Sequence, residues 1–179
     1  MEFAAWMPER MRGVATTFAT SNRGGCHKRA PIGLELMEFI PIDSVDGRAA
    51  IVADIQNRVN STFTLVACRF AEFVLKSENF AALLNAASGM NYTAEDFNLL
   101  GEKIWNMERL YNLNAGIDPS QDALPEICFQ VPLDFPEGYK PLTHEDFSYL
   151  INDYYTVRGW DENGYPTPEK LEALGLRSQ

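Results

Sequence analysis

The amino-acid sequence predicts an all-α protein, a multihelical lobe whose helices are joined by long, irregular, proline-rich connections. Apolar residues recur at helical spacing along most of the 179 residues. The hydrophobic fraction of 46% is high enough for a packed core. No internal repeat, low-complexity tract or flexible linker interrupts the pattern, so we expect a single domain over residues 1–179.

The composition excludes several classes of function. A formal net charge of −10 and a pI of about 4.6 argue against a nucleic-acid partner. The three cysteines form no Cys-x-x-Cys pair, so a disulfide framework is not expected. No apolar run is long enough to span a membrane, and the N-terminus lacks the order of a signal peptide. We therefore predict a cytoplasmic protein that does not bind membranes.

In the first half of the chain, a helix is predicted from Pro8 to about Phe18, because proline is tolerated in a first turn. A polar, glycine-bearing loop follows over residues 20–28, and Pro31, Gly33 and residues 39–43 are predicted to be irregular. Helical spacing resumes at Ile51, Val52, Ile55 and Val59. Residues 63–75 are apolar on most sides, which is typical of a buried helix. Their many β-branched and aromatic residues leave a strand as the alternative.

The second half of the chain predicts four more helices. The first of them is short, begins near Phe80 and ends at Gly89. The clearest runs from Thr93 to about Asn112, with a capping box between Thr93 and Asp96 and an apolar stripe made by Phe97, Leu100, Ile104, Met107 and Tyr111. Its acidic residues are predicted to face solvent: Glu95, Asp96, Glu102 and Glu108. Prolines 119, 125, 132, 136 and 141 then indicate an extended segment that wraps the helices. The last two helices are predicted over residues 143–158 and from Thr167 to Gly175.

The polar loop carries the residue types that bind ligands. Gly24 and Gly25 allow a backbone to approach a ligand closely. Arg23 suits a phosphate or a planar hydrogen-bonding ring, and His27 can move a proton near neutral pH. On these residues alone, a solvated surface loop is an equal alternative.

Cys68 and Cys128 lie outside the polar loop, and on the sequence alone each is interpreted as a structural residue. A lone cysteine in an apolar segment, such as Cys68, is more often a small core residue than a metal ligand. An iron–sulfur cluster there would need three more thiolates from outside the chain. Cys128 is predicted to pack in the core, and His144 to cap a helix or face solvent.

Three stretches together are similar to one family. Residues 20–30, Thr-Ser-Asn-Arg-Gly-Gly-Cys-His-Lys-Arg-Ala, resemble the Ser-Asn-Arg-Gly-x-Cys-His-x-Arg-Ala loop of tungsten-dependent aldehyde ferredoxin oxidoreductases. Residues 104–112, Ile-Trp-Asn-Met-Glu-Arg-Leu-Tyr-Asn, with Asp-Ala-Leu-Pro-Glu at 122–126, resemble the family's Trp-Asn-x-Glu-Arg-x-x-Asn helix and the Asp-x-Leu-Pro-Glu that follows it. Residues 154–168 are similar to the family's C-terminal ending. The matches keep the family's order from about residue 15 to 176.

The resemblance implies that this chain is the C-terminal helical domain of a longer enzyme. In such enzymes a β-rich domain cradles a tungsten (or molybdenum) bis-pterin, and an earlier helical domain supplies three ligands of a [4Fe–4S] cluster. Here Cys68 matches the fourth ligand, and His27 matches the histidine near the metal. The loop implies a cofactor wall made of Asn22, Arg23, Gly24, Gly25, Cys26 and Lys28. The implied reaction oxidises aldehydes to carboxylic acids and passes electrons through the cluster to ferredoxin.

One departure concerns the helix before Cys68. The family usually has Asp-x-x-Gly-Leu-Cys, in which the aspartate hydrogen-bonds a pterin, and this chain has Phe63 and Val66 at the first and fourth positions. Asn60 or Ser61 could supply a polar group from one turn earlier. A divergent subfamily, or a cofactor-free helical binding or structural module that keeps only the fold, is therefore the alternative. Alone, the chain is expected to be inactive and to expose apolar surface where upstream domains belong, with a homo-oligomer as one consequence.

Overall fold

The computed structural model describes residues 7–131 and 137–176, and within them it confirms the all-α prediction. These ranges contain no β-strand, only two isolated bridges. No helix in the same ranges has the length and apolarity needed to cross a membrane. The α-helices are α1 Arg12–Ala19, α2 Ile32–Leu36, α3 Arg48–Thr64, α4 Ser77–Ser88, α5 Ala94–Asn114, α6 His144–Arg158 and α7 Pro168–Ala173.

Helices α3 and α5 form the centre of the fold, and α1 and α6 pack on α3. A Cβ atom at Gly101 on α5 would lie 1.8 Å from the carbonyl oxygen of Asn57 on α3. Only glycine permits so close a contact between two backbones. The largest buried cluster surrounds Trp105 and includes Tyr154 and Trp160. The signature residues of the C-terminal ending therefore pack against α5.

Several helix ends follow the predicted caps, but the predicted start of the first helix at Pro8 is wrong. Thr93 Oγ1 accepts from the Asp96 N–H at 3.1 Å, and Asp96 accepts from the Thr93 N–H at 2.9 Å. This reciprocal pair confirms the predicted capping box of α5. Helix α4 ends at Gly89 in the left-handed conformation, as predicted. The first helix begins at Arg12, four residues after Pro8, which lies in a preceding turn.

The connection between α5 and α6 is irregular, with two short 3₁₀ helices at Pro119–Gln121 and Glu126–Phe129. Its Leu124 packs against three of the buried clusters, and Cys128 is buried, as predicted. The connection therefore wraps the helices in the residues that the structure describes. Pro132 and Pro136, which supported the prediction of an extended segment, lie outside those residues.

The predicted buried helix over residues 63–75 is wrong. Helix α3 continues to Thr64, Val66 takes a positive φ of 56°, and a 3₁₀ helix follows at Arg69–Phe73. The apolar side chains of this segment reach solvent: Val66, Phe70, Phe73 and Val74 are 74–93% exposed. These four side chains are therefore not part of the buried core that the structure describes.

Two further predictions need correction. Pro31 and Gly33 are not irregular, because Pro31 precedes α2 and Gly33 lies inside it. On α5 the buried positions include Phe97, Gly101, Trp105 and Arg109, which form one face, and Gly101 on this face lies against α3. The predicted apolar stripe is rotated from that face, so Met107 and Tyr111 are 54% and 75% exposed. The close contact between the α5 backbone at Gly101 and the α3 backbone determines which face of α5 is buried.

Candidate functional site

The loop between α1 and α2 is held at both ends by the carboxylate of Glu108 on α5. At its start, Asn22 Nδ2 donates to Glu108, and Asn22 Oδ1 accepts from Arg29. At its end, Arg29 donates from Nη1 and Nη2 to the two Glu108 oxygens at 3.2 and 3.4 Å. Asn112, one turn along α5, donates to the Asn22 carbonyl at 2.9 Å. The loop is therefore tied to a rigid helix.

Between these ties the loop faces solvent. Arg23, Gly24, His27 and Lys28 are exposed, whereas Gly25 and Cys26 are half-buried. Gly24 has a φ of +82° and open space around it, as a turn that admits a ligand requires. Arg23 donates to the Cys26 sulfur from Nε at 3.3 Å and from Nη2 at 3.0 Å. The exposed surface is thus cationic and rich in N–H donors, in a chain that is acidic as a whole.

Phe63 lies at the end of α3 beneath this loop. The guanidinium carbons of Arg23 and Arg29 lie 5.5 and 5.7 Å from the centre of its ring. These are cation–π distances, and a phenyl ring cannot accept the hydrogen bond that a carboxylate would accept from a ring N–H. The two polar residues one turn earlier, Asn60 and Ser61, are buried against α5, where they bond Glu108 and the Phe97 carbonyl. This helix end therefore does not reproduce the family's carboxylate contact.

Cys68 is exposed, in contrast to the core cysteine that its lone position suggested. It has an extended backbone and immediately precedes the 3₁₀ helix Arg69–Phe73. The neighbouring Arg69 donates from Nε to the Lys28 carbonyl at 3.0 Å, and from Nη1 to buried Glu72 at 2.8 Å. The segment that carries Cys68 therefore touches the loop that carries His27, although 41 residues separate them in sequence.

The positive φ of Val66 falls at the position where the family has glycine. A β-branched residue in the left-handed region is a conformational outlier, whereas glycine adopts that region freely. The bend at Val66 turns the chain out of α3 and places Cys68 on the surface. The backbone thus keeps the shape that the family sequence favours, while the side chain at this position does not match it.

The other two stretches that resemble the family, residues 104–112 with 122–126 and residues 154–168, are joined to each other by hydrogen bonds. Arg109 makes a bidentate pair with Asp122, with distances of 2.9 and 2.6 Å, and also donates to the Gly164 carbonyl. The Trp160 ring N–H donates to Asn106 Oδ1 at 2.8 Å. These residues are buried or nearly so, and they hold the connection and the C-terminal ending on α5. These bonds therefore stabilise the surroundings of α5, the helix to which the loop is tied.

Burial changes two further groups. Glu35 on α2 accepts from the N–H groups of Gly13 and Val14 at 2.7 and 3.1 Å, so it ties α2 to the first turn of α1 across the loop. Its complete burial raises the pKa of Glu35 to about 7, although nearby Arg48 opposes the shift. Burial also raises the pKa of the Cys128 thiol to about 11, which makes this cysteine inert at neutral pH.

The predictions for His144 and Glu108 have different outcomes. His144 is exposed in the first turn of α6, and its ring stacks on Phe129 at 4.0 Å between centroids. Glu108 was predicted to be solvated, but its carboxylate joins the loop, α3 and α5. In the sequence, only its place in the Trp-Asn-x-Glu-Arg-x-x-Asn stretch distinguishes Glu108 from the other acidic residues of the helix.

The described residues can supply one thiolate to a cluster at Cys68. Within residues 7–131 and 137–176, no group of three or more His, Cys, Asp or Glu side chains is placed to hold a metal ion. The exposure of Cys68 leaves its sulfur accessible to ligands from another segment. The loop fits an anionic or planar group through its glycines and arginine, but Phe63 offers that group no carboxylate.

Comparisons with known proteins agree with this picture. Residues 1–176 match the family model described as aldehyde ferredoxin oxidoreductase, domains 2 & 3. The tungsten-containing aldehyde ferredoxin oxidoreductase of Pyrococcus furiosus is 36% identical over 98% of this chain, and that of Thermococcus kodakarensis is 35% identical over the same share. The chain spans 30% of the length of each. An aliphatic sulfonate oxidoreductase, WOR-like subunit, of Pyrococcus furiosus is 36% identical over 51% of the chain and 16% of that protein.

A solved structure shares the fold. The active site complex BamBC of benzoyl coenzyme A reductase with 1,5 dienoyl-CoA superposes with a TM-score of 0.61 at 20% identity, over 74% of this chain and 20% of that chain. The family match covers nearly all of the chain, and the two tungsten-containing aldehyde ferredoxin oxidoreductases each match 98% of it. This chain belongs to the aldehyde ferredoxin oxidoreductase family.

Proposed function

We propose that this chain is the C-terminal part of an enzyme that oxidises aldehydes to carboxylic acids at a tungsten bis-pterin centre, or at its molybdenum counterpart. The observation that carries the proposal is the bond between the Arg69 guanidinium and the Lys28 carbonyl at 3.0 Å. Through it, the exposed His27 loop and the exposed Cys68 segment lie side by side on one face. A proton-transfer group and a cluster ligand are both needed near such a centre.

Each residue has a separate part in this proposal. Aldehyde oxidation consumes one water and releases two electrons and two protons as the acid forms; the bound metal–pterin group would supply the redox chemistry. His27 would take up a proton as the acid forms and return it to solvent. Arg23 and Lys28 would hold anionic groups with their exposed N–H donors, and Gly24 and Gly25 would admit them.

Asn22 and Cys26, the other two residues of the predicted cofactor-binding loop, would act from less exposed positions. Asn22 keeps the start of the loop in place, and Cys26 accepts from Arg23 and so orients that guanidinium. Cys68 would be the single ligand from this chain to a [4Fe–4S] cluster that relays electrons to ferredoxin. The upstream domains of the same enzyme would supply the other three thiolates, so we expect no activity from the chain alone.

The test joins this chain to the upstream region of its enzyme and supplies tungsten during expression. We expect Cys68→Ala to lose iron and ferredoxin-linked aldehyde oxidation. Cys128→Ala is the matched control, because this buried thiol packs in the core and should leave the iron content unchanged. His27→Gln should keep the iron and lower kcat. Normal iron and normal activity in Cys68→Ala would contradict the cluster assignment.

A cofactor-free helical binding or structural module is the second candidate, and Phe63 and Val66 favour it. Both replace residues that the family uses at this helix end, and Phe63 cannot make the carboxylate contact. The coding sequence upstream separates the two candidates at little cost. A reading frame with Cys-x-x-Cys-x-x-x-Cys supports the enzyme, and its absence supports the module.

A further inference from the structure

The carboxylate of Glu108 is shared by three parts of the chain. From the loop it accepts Asn22 Nδ2 and both terminal nitrogens of Arg29, the latter at 3.2 and 3.4 Å. From α3 it accepts Asn60 Nδ2 at 3.2 Å. Glu108 itself lies on α5, the helix that packs most extensively against α3. A single side chain therefore connects the loop to both central helices.

These contacts fall at the two ends of the exposed part of the loop. Asn22 precedes it and Arg29 follows it, so residues 23–28, which include His27, lie between two anchored points, with one further bond from Arg69 Nε to the Lys28 carbonyl. Arg29 is buried, with its guanidinium carbon 5.3 Å from the centre of the Trp105 ring. A buried cation of this kind needs a carboxylate partner, and Glu108 is the only one whose contact with it is within ion-pair distance in the described residues.

We propose that Glu108 is a positioning residue, whose charge holds both ends of the loop so that His27 and Arg23 are presented in one conformation. The inference rests on the proposed function only for the role of His27. Charge-assisted hydrogen bonds are the stronger kind, and functional side chains need support from rigid elements to keep their geometry. Asn112 adds a neutral bond to the same end of the loop.

Glu108→Gln tests the proposal in this chain without any cofactor. The amide is isosteric, but it removes the charge and turns an N–H group toward donors that need an acceptor. Glu102→Gln is the matched control, because Glu102 lies on the same helix and pairs with Lys170 at a distance from the loop. Native-state trypsin digestion, followed by mass spectrometry, reports cleavage after Arg23 and Lys28.

We expect Glu108→Gln to raise cleavage within the loop about tenfold, and Glu102→Gln to leave it unchanged. Cleavage elsewhere should not differ between the two variants. Labelling of Cys26 by a thiol reagent, in a Cys68→Ser background, should accelerate in parallel. A loop cleavage rate in Glu108→Gln equal to that of the parent chain would overturn the proposal.

A second variant covers the case in which Glu108→Gln does not fold. Asn112→Ala removes its neutral bond to the Asn22 carbonyl, so loop cleavage should rise by about fivefold. If this variant also leaves the loop protected, the α5 face does not position it and the inference is wrong.

The complete enzyme gives the functional readout. Glu108→Gln should lower kcat about tenfold with little change in KM, because substrate binding is kept while the proton-transfer group is misplaced. Glu102→Gln should change neither constant. An unchanged kcat beside a loosened loop would refute the positioning role. A parent enzyme without aldehyde oxidation would refute the proposed function and leave the protease result valid.

Discussion

Replacing Val66 by glycine should stabilise this chain, although the change removes an apolar side chain. Val66 has a φ of 56°, in the region where an L-residue costs about 1–2 kcal/mol relative to its ordinary conformations. Its side chain is 93% exposed, so almost no buried area is lost. Relieving this strain is offset by about 0.5–1 kcal/mol, because the unfolded chain has more conformational entropy with glycine at this position. Taken at the middle of both ranges, the net expectation is a gain of about 0.75 kcal/mol.

Thermal unfolding followed by circular dichroism measures this gain. For a domain of this size we expect Val66→Gly to raise Tm by about 1–4 °C. Val74→Gly is the matched control, since Val74 is 82% exposed but has a φ of −117°. There the glycine has no strain to relieve, so the free energy of unfolding should fall by about 0.5–1 kcal/mol. A Val66→Gly variant that is destabilised as much as Val74→Gly would contradict the backbone strain assigned to Val66.

Three other predictions concern stability and surface. Burial raises the pKa of Glu35 to about 7 from 4.5, so the folded chain holds this proton more tightly than the unfolded chain; stability should therefore fall as the pH rises from 4.5 to 7, and Glu35→Gln should remove that slope from a series of thermal melts. Asp122→Asn should cost about 3–5 kcal/mol in urea unfolding, because it leaves a buried arginine without its counter-charge, whereas the exposed Glu126→Gln should change little. The double variant Phe70→Ser, Phe73→Ser should reduce the fluorescence of an apolar dye bound to the folded chain without shifting the unfolding midpoint, and undiminished dye binding would show that this surface is not the exposed patch.

The sequence predicted helix boundaries best where the capping residues lie within one turn of the helix end. The reciprocal bonds of Thr93 and Asp96, and the left-handed glycine at 89, act within one turn of the helices that they bound, so their residue types alone indicate the boundaries. The loop over residues 20–28 was found in the same way, through its glycines and polar residues. Helix α2 was missed, because its five residues are bounded by a proline and carry a glycine.

Burial was harder to predict than helix formation. The apolar residues 63–75 suggested a core helix, yet Phe70 and Phe73 reach solvent. Apolar periodicity reports that a surface avoids water, but it does not report which partner covers that surface. The same holds for Met107 and Tyr111 on α5, where the contact at Gly101 turns another face inward.

The amino-acid sequence by itself determined the helical class, most helix ends and, through three ordered stretches of resemblance, the family to which the chain belongs. It also singled out His27 and Cys68. Only the tertiary structure decided that these two residues lie on adjoining segments, that the strained bend at Val66 brings Cys68 to the surface, and that Glu108 anchors the loop. The physical reason is that caps and periodicity act over a few residues, whereas these contacts join positions up to 86 residues apart and depend on how α3 and α5 pack.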